Sequence, residues 1–136
     1  MSIDLVIFDP LKVNYKDQRH FAQWLDALFE VEESTDVNDP SIASAPLQSW
    51  FHAMRVDFPA LNGPFRVLGD NPQHLDYCFS PAAVDVSYWL SNYEKAAEKT
   101  WAEAVRFGLG LFDPQSGVVF APNANGDDLE EIYTLE

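Results

Sequence analysis

Cysteine is almost absent from this 136-residue chain, which contains only Cys78. A single cysteine cannot form an intramolecular disulfide or build a cysteine-rich metal site, which favours a reducing compartment. Long apolar runs are missing too, because the N-terminal run in residues 2–8 is too short to cross a bilayer and lacks the basic residues of a secretory signal. These absences predict a cytoplasmic protein without a membrane segment.

Basic residues are also scarce, since eight Lys and Arg stand against 22 Asp and Glu and give a formal net charge of −14. Such a field repels the phosphates of nucleic acids and the headgroups of anionic membranes, and it attracts cationic proteins. The charge balance therefore predicts no binding to nucleic acid or membrane, and it favours a basic protein as the partner.

The acids are concentrated in two segments, because residues 26–39 hold six and residues 123–136 hold five, with no Lys or Arg in either. A solvated surface that keeps the protein soluble explains one such segment, and two make a cationic partner a plausible alternative. The predicted partner-binding residues are Glu30, Glu32, Glu33, Asp36, Asp39, Asp127, Asp128, Glu130 and Glu131.

Local signatures of catalysis are missing from the sequence. It contains no Gly-rich phosphate loop, nucleophile elbow or HExxH helix. The histidines lack metal-ligand spacing, and Cys78 falls in a predicted strand, where a thiol behaves as a small inert hydrophobe. The turn at residues 123–128 begins like a calcium loop, but Asp128 and Thr134 stand where that loop requires Gly and Glu. The sequence thus predicts no catalytic residue, no metal and no cofactor.

Carboxylates keep one enzymatic alternative open. Four acids lie in or beside predicted strands, where a pair could hydrolyse a glycoside, and these are Asp9, Asp76, Asp85 and Asp113. Because a chain with 22 acids produces such pairings by chance, we favour a protein that is not an enzyme.

Apolar residues make up 47% of the chain and aromatic residues 14%, which indicates a folded core. The length predicts one domain, over residues 1–122, followed by an acidic tail at residues 123–136. Hydrophobic periodicity and turn residues predict strands at 2–8, 75–79, 84–88, 109–112 and 118–121, and helices near 15–29, 46–58 and 92–107.

This order, βααββαββ, predicts an α+β fold with a single mixed, mainly antiparallel sheet of about five strands and three helices packed on one face. Asn14 is predicted to cap the first helix, a capping box formed by Ser91 and Glu94 to start the third, and Gly108 to follow its end. The tryptophans Trp24, Trp50 and Trp101 are predicted to lie in the core, whereas Trp89 and Tyr93 are exceptions available to a ligand.

Four features together resemble a known family: the opening strand Met1-Ser2-Ile3-Asp4-Leu5, the helix running into Asp57-Phe58-Pro59, the strand-strand-helix unit from Asp76 to Gly108, and the stretch from Gly110 to Gln115. They are similar to small, acidic, uncharacterised bacterial proteins that resemble toxin-neutralising immunity proteins. Ile3 stands where that family usually has an aromatic residue.

The resemblance implies a non-catalytic antidote that binds a cognate bacterial toxin, and it supplies no catalytic residues. Two other functions remain open, a nucleic-acid mimic that inhibits a DNA-binding protein and a small carboxylate-dependent enzyme. The sequence leaves the oligomeric state undetermined.

Overall fold

The computed structural model describes residues 2–28, 36–69 and 71–135. Its strands are β1 (Ser2–Phe8), β2 (Asp76–Phe79), β3 (Ala83–Trp89), β4 (Gly110–Asp113), β5 (Val118–Pro122) and β6 (Leu129–Thr134). Its α-helices are α1 (Gln18–Leu28), α2 (Ala45–Met54) and α3 (Tyr93–Arg106), and a 3-10 turn spans Pro40–Ile42.

The strands form one six-stranded sheet in the order β2-β3-β1-β4-β5-β6, and every neighbouring pair is antiparallel. The predicted α+β class is confirmed, but the prediction of about five strands in a mixed sheet is wrong. The sixth strand, Leu129–Thr134, lies in the segment predicted as an acidic tail and pairs with β5. The element order therefore gains a strand at its end.

The helices pack on both faces of the sheet, which corrects the prediction that all three share one face. On β1, Leu5 and Ile7 belong to the apolar cluster that α2 and α3 cover, whereas Val6 and Phe8 belong to the cluster that α1 covers. Successive residues of a strand point to opposite faces, so a continuous apolar run such as that of β1 suits a strand buried on both sides.

Hydrogen bonds from buried side chains tie α3 to β3 and α2 to α3. The hydroxyls of Tyr88 and Thr100 lie 2.6 Å apart, and the Thr100 hydroxyl donates to the carbonyl of Ala96 at 2.7 Å. The indole of Trp50 donates to the carbonyl of Thr100 at 3.3 Å. Because each buried polar group has a partner here, these bonds fix the helices to the sheet without an uncompensated desolvation cost.

The helix ends agree with the sequence prediction at one end of α3 and differ at the other. Gly108 has φ of +69° directly after the helix, which confirms the predicted left-handed exit. At the start, Asn92 is the N-cap residue, and its side chain does not cap the helix, so the predicted Ser91–Glu94 capping box is wrong. At the start of α1, Asp17 rather than Asn14 accepts a backbone bond, from the amide of His20 at 3.1 Å.

Gly110 on β4 lies directly against the ring of Phe8 on β1, and a Cβ at this position would overlap the ring. Only glycine leaves space for the ring at that point. Among the described residues, no helix combines the length and the apolar character that crossing a membrane requires.

Candidate partner-binding surface

The face of the sheet that carries α1 is apolar at one end and acidic at the other. At the apolar end, α1 packs over Val6, Phe8, Phe112 and Val119. At the other end the same face carries a polar set, which we call the acidic half-face, and its residues are Asp4, Asp76, Cys78, Asp85, Ser87 and Trp89. Each alternates along its strand with a residue buried on the opposite face, such as Leu5, Tyr77 or Val86.

Strand register brings these side chains together. Ser87 on β3 pairs with Asp4 on β1 on one side and with Asp76 on β2 on the other. Asp85, two residues before Ser87 on β3, pairs with Cys78 on β2. Diagonal neighbours on a sheet face lie roughly 7 Å apart, so the Asp85 carboxylate is close to those of Asp4 and Asp76.

The hydrogen-bond donors to these carboxylates are neutral groups, and one carboxylate oxygen has no donor. The Ser87 hydroxyl donates to Asp4 Oδ1 at 2.6 Å, and the Asn62 amide donates to Asp76 Oδ1 at 3.2 Å. Oδ1 of Asp85 is buried and has no hydrogen-bond partner. The ion pairs among the described residues involve Asp17, Asp57 and Glu103, so no described cation neutralises the acidic half-face.

The electrostatic consequence is clearest at Asp85. Burial, supported by the charges of Asp4 and Asp76, raises the pKa of Asp85 to about 6. The pKa of the Cys78 thiol rises to about 11, because of burial first and then the charges of Asp76, Asp85 and Asp4. A thiol with this pKa is protonated at neutral pH, which disfavours a role as a nucleophile.

Gln115 fixes β1 at the acidic half-face. β1 pairs with β4 only from Val6 to Phe8, which leaves the backbone of Asp4 beyond the ladder. The side-chain amide of Gln115 replaces a strand there, since it donates to the Asp4 carbonyl at 2.9 Å and accepts from the Asp4 amide at 3.1 Å. These two bonds hold the Asp4 carboxylate in its place on the face.

Trp89 ends the acidic half-face, and 45% of its surface is exposed. It borders a cavity of about 470 Å³, and the other described residues that line it are Leu61, Gly69, Asn71, Pro72, His74 and Ser91. His74 is only 3% exposed, and its Nε2 has no hydrogen-bond partner. The prediction that Trp89 stands apart from the core is confirmed, whereas Tyr93 packs partly buried against the core ring of Tyr88.

The first acidic segment is described only in part, since Glu30, Glu32 and Glu33 lie outside the described residues. Oδ1 of Asp36 accepts from the amide of Asn38 at 3.0 Å, and Oδ1 of Asp39 accepts from the amide of Ser41 at 2.9 Å. Both bonds stabilise local turns, and the bond from Asp39 caps the 3-10 turn. The bond to the Ser41 amide lowers the pKa of Asp39.

The second acidic segment forms a turn and the edge strand β6. Asp127 accepts from the side-chain amide of Asn123 at 2.8 Å, and Asp128 accepts from the Trp101 indole at 2.9 Å, which attaches this turn to α3. Glu130 and Glu131 are exposed on β6. Charged residues on an edge strand hinder pairing with other chains, so these two acids have a structural explanation. The structure does not bring this segment together with the acidic half-face.

The remaining strand-associated carboxylates lie outside the acidic half-face. Asp9 is buried and accepts from the amide of Leu11 at 3.0 Å, and Asp113 accepts from Gln115 and Ser116 in a turn. Of the four strand-associated acids, only Asp76 and Asp85 lie on the acidic half-face. Within the described part of the chain, no group of three His, Cys, Asp or Glu side chains is placed to hold a metal ion.

Sequence reasoning missed Asp4 and Ser87 and did not connect Asp76 with Asp85. The signal was the alternation of polar and buried residues over 83–89 in β3, together with a single acid inside the apolar run of β1. Comparison of the chain with protein-family models, curated proteins and solved structures found no match.

Proposed function

We propose that this protein is a non-catalytic binding protein that engages a basic protein partner through the acidic half-face. The observation that carries the proposal is the set of carboxylates of Asp4, Asp76 and Asp85, which no described cation neutralises, beside the exposed ring of Trp89. The sequence resemblance to immunity proteins makes a bacterial toxin the proposed partner.

Electrostatics supports this function at two ranges. At long range, the net charge of −14 accelerates encounter with a cationic surface. At contact, a lysine or arginine side chain placed between the carboxylates relieves the mutual repulsion of Asp4, Asp76 and Asp85. Trp89 adds the residue type that most often dominates binding energy at protein interfaces.

Protonation of Asp85 links binding to pH. Because the pKa of Asp85 is about 6 in the free protein, a large share of this carboxyl is protonated at pH 6. A cationic partner favours the ionised form, so binding releases a proton, and affinity should rise between about pH 5 and about pH 7. An affinity that falls over this range would contradict the proposed role of Asp85.

Affinity capture from the producing cells tests the proposal with paired charge variants, each of which removes two negative charges. The variant Asp4→Asn/Asp76→Asn alters the acidic half-face, and Asp26→Asn/Glu98→Gln, at exposed helix positions, is the matched control. We expect the wild type and the control to retain a protein of high isoelectric point that the half-face variant loses.

A third pair, Glu130→Gln/Glu131→Gln, tests the predicted acidic segment on β6. Loss of the partner with this pair and retention with the half-face pair would move the interface to the edge strand. Equal retention by all three variants at low salt would overturn the acidic half-face as the binding surface.

A further inference from the structure

The cavity beside Trp89 is continuous with the acidic half-face. His74 precedes Asp76 by two residues and Trp89 follows Ser87 by two residues, and both line the cavity. Leu61, next to the Asn62 that bonds Asp76, lines it as well. A partner that occupies the acidic half-face therefore reaches this cavity without leaving the same surface.

The lining of the cavity combines apolar surface with uncharged polar groups. Trp89, Leu61 and Pro72 supply the apolar part, and Asn71 and Ser91 supply polar side chains. The volume of about 470 Å³ falls in the range of ligand cavities in proteins. Among the lining residues that the structure describes, there is no Asp, Glu, Lys or Arg.

His74 provides a second, independent indication of an occupant. Its side chain is more than nine-tenths buried, yet Nε2 makes no hydrogen bond. An unpaired polar atom in a protein interior usually marks a missing partner. Because Nε2 is buried, the imidazole must rotate before this nitrogen can bond a group seated in the cavity.

We infer that this cavity receives a tyrosine side chain of the basic partner, with its ring against Trp89 and its hydroxyl bonded to His74 Nε2. The inference rests on the proposed function. Tyrosine combines an apolar ring with a polar end, which matches the lining, and it is enriched at protein interfaces.

Strand geometry sets the spacing of the recognised segment. Ser87, flanked by Asp4 and Asp76, precedes Trp89 by two residues, and Asp85 precedes it by four. An extended peptide has nearly the same rise per residue as a strand, about 3.3 Å, so its alternate side chains match these rows. The recognised segment therefore has basic residues two and four positions from the tyrosine.

Three synthetic peptides test the inference on the full chain: Lys-Ser-Lys-Ser-Tyr and its analogues ending in Phe and in Ala, with blocked termini. NMR titration of the ¹⁵N-labelled protein gives dissociation constants and shows whether Gly69, Asn71, Ser91 and the Trp89 indole shift. We expect the Tyr peptide to bind about tenfold more tightly than the Ala peptide and a few-fold more tightly than the Phe peptide. Equal affinity of the Tyr and Ala peptides, equal affinity of the Tyr and Phe peptides, or no shift at these residues overturns the inference.

Variants separate this inference from the proposed function. Trp89→Ala should abolish the preference for Tyr over Ala, and so should Ser91→Trp, which fills the cavity with a ring. Leu11→Ala is the matched control, because Leu11 is 91% exposed and follows the opposite end of β1. Retention of the Tyr preference in both cavity variants counts against the inference.

The half-face pair Asp4→Asn/Asp76→Asn should weaken all three peptides equally and leave the Tyr preference intact. If the wild type shows no Tyr preference while the half-face pair still weakens binding, the cavity assignment fails and the proposed function stands. If the Tyr preference appears and the half-face pair has no effect, the cavity assignment stands and the proposed function fails.

Discussion

Replacing Asp85 by asparagine should stabilise the protein at neutral pH, because the wild-type carboxylate is ionised in an unfavourable place. Its pKa rises from 3.8 to about 6 on folding. At 1.36 kcal/mol for each pH unit between those values, the penalty on the ionised folded protein is at most about 3 kcal/mol. Asp85 is only part-buried, so solvent screening reduces the penalty, and we expect Asp85→Asn to gain about 1–2 kcal/mol.

The pH dependence has a definite sign. Below 3.8 the carboxyl is protonated in both the folded and the unfolded state, and the penalty is absent. Between 3.8 and about 6 the folded state binds more protons, so the contribution of Asp85 to stability falls as pH rises, and above about 6 the penalty is complete. The gain from Asp85→Asn should therefore be present near pH 7.5 and vanish below pH 4.

Urea unfolding at about pH 7.5 and about pH 3.5 measures the free energy of unfolding of the wild type, of Asp85→Asn and of Asp26→Asn. Asp26 is exposed on α1, so its replacement removes one charge and controls for the change in net charge. The reasoning is refuted if Asp85→Asn changes stability by the same amount at both pH values, or if Asp26→Asn shows an equal gain at neutral pH.

Three further predictions concern two core residues and the thiol of Cys78. Trp50→Ala should lower the free energy of unfolding by about 3–5 kcal/mol, since Trp50 is 0% exposed, and a loss below about 1 kcal/mol in urea unfolding would contradict its core role. Gly110→Ala should destabilise by about 1–3 kcal/mol through overlap with Phe8, and unchanged stability on thermal unfolding would show that the ring can move aside. Cys78 should react with an aromatic disulfide at pH 7 about tenfold more slowly than a thiol of pKa 9.0, because its pKa of about 11 lowers the thiolate fraction about 100-fold and the greater nucleophilicity of that thiolate offsets part of the loss. Labelling of the folded protein as fast as that of such a thiol would contradict this.

The sequence predicted the central strands and the helices because their signals are local. Residues 5–8 form a continuous apolar run, and Gly108 supplies a left-handed exit from α3. β6 was missed because its sequence has a weak strand pattern. Glu130 and Glu131 are consecutive acids, and the pairing of β6 with β5 shifts register between Val119 and Phe120, which interrupts the alternation of its side chains. Its pairing with β5 is a tertiary interaction that outweighs the local pattern.

The face to which each helix packs could not be obtained from periodicity. The spacing of Phe21 and Leu25 shows that α1 has an apolar side, but not which side of β1 it covers. The composition of the candidate site likewise could not be obtained from local sequence patterns. Asp76 and Asp85 were recognisable as strand carboxylates, but only the sheet order β2-β3-β1 places them beside Asp4.

The central claim is that the acidic half-face binds a cationic partner, and association kinetics with the captured partner test it most directly. Rate constants are measured at two ionic strengths for the wild type, for Asp4→Asn/Asp76→Asn and for the control Asp26→Asn/Glu98→Gln. We expect the half-face pair to slow association at low salt, to flatten its salt dependence and to speed dissociation, while the control changes each of these far less. Equal rates for the half-face pair and the control at low salt would contradict the claim.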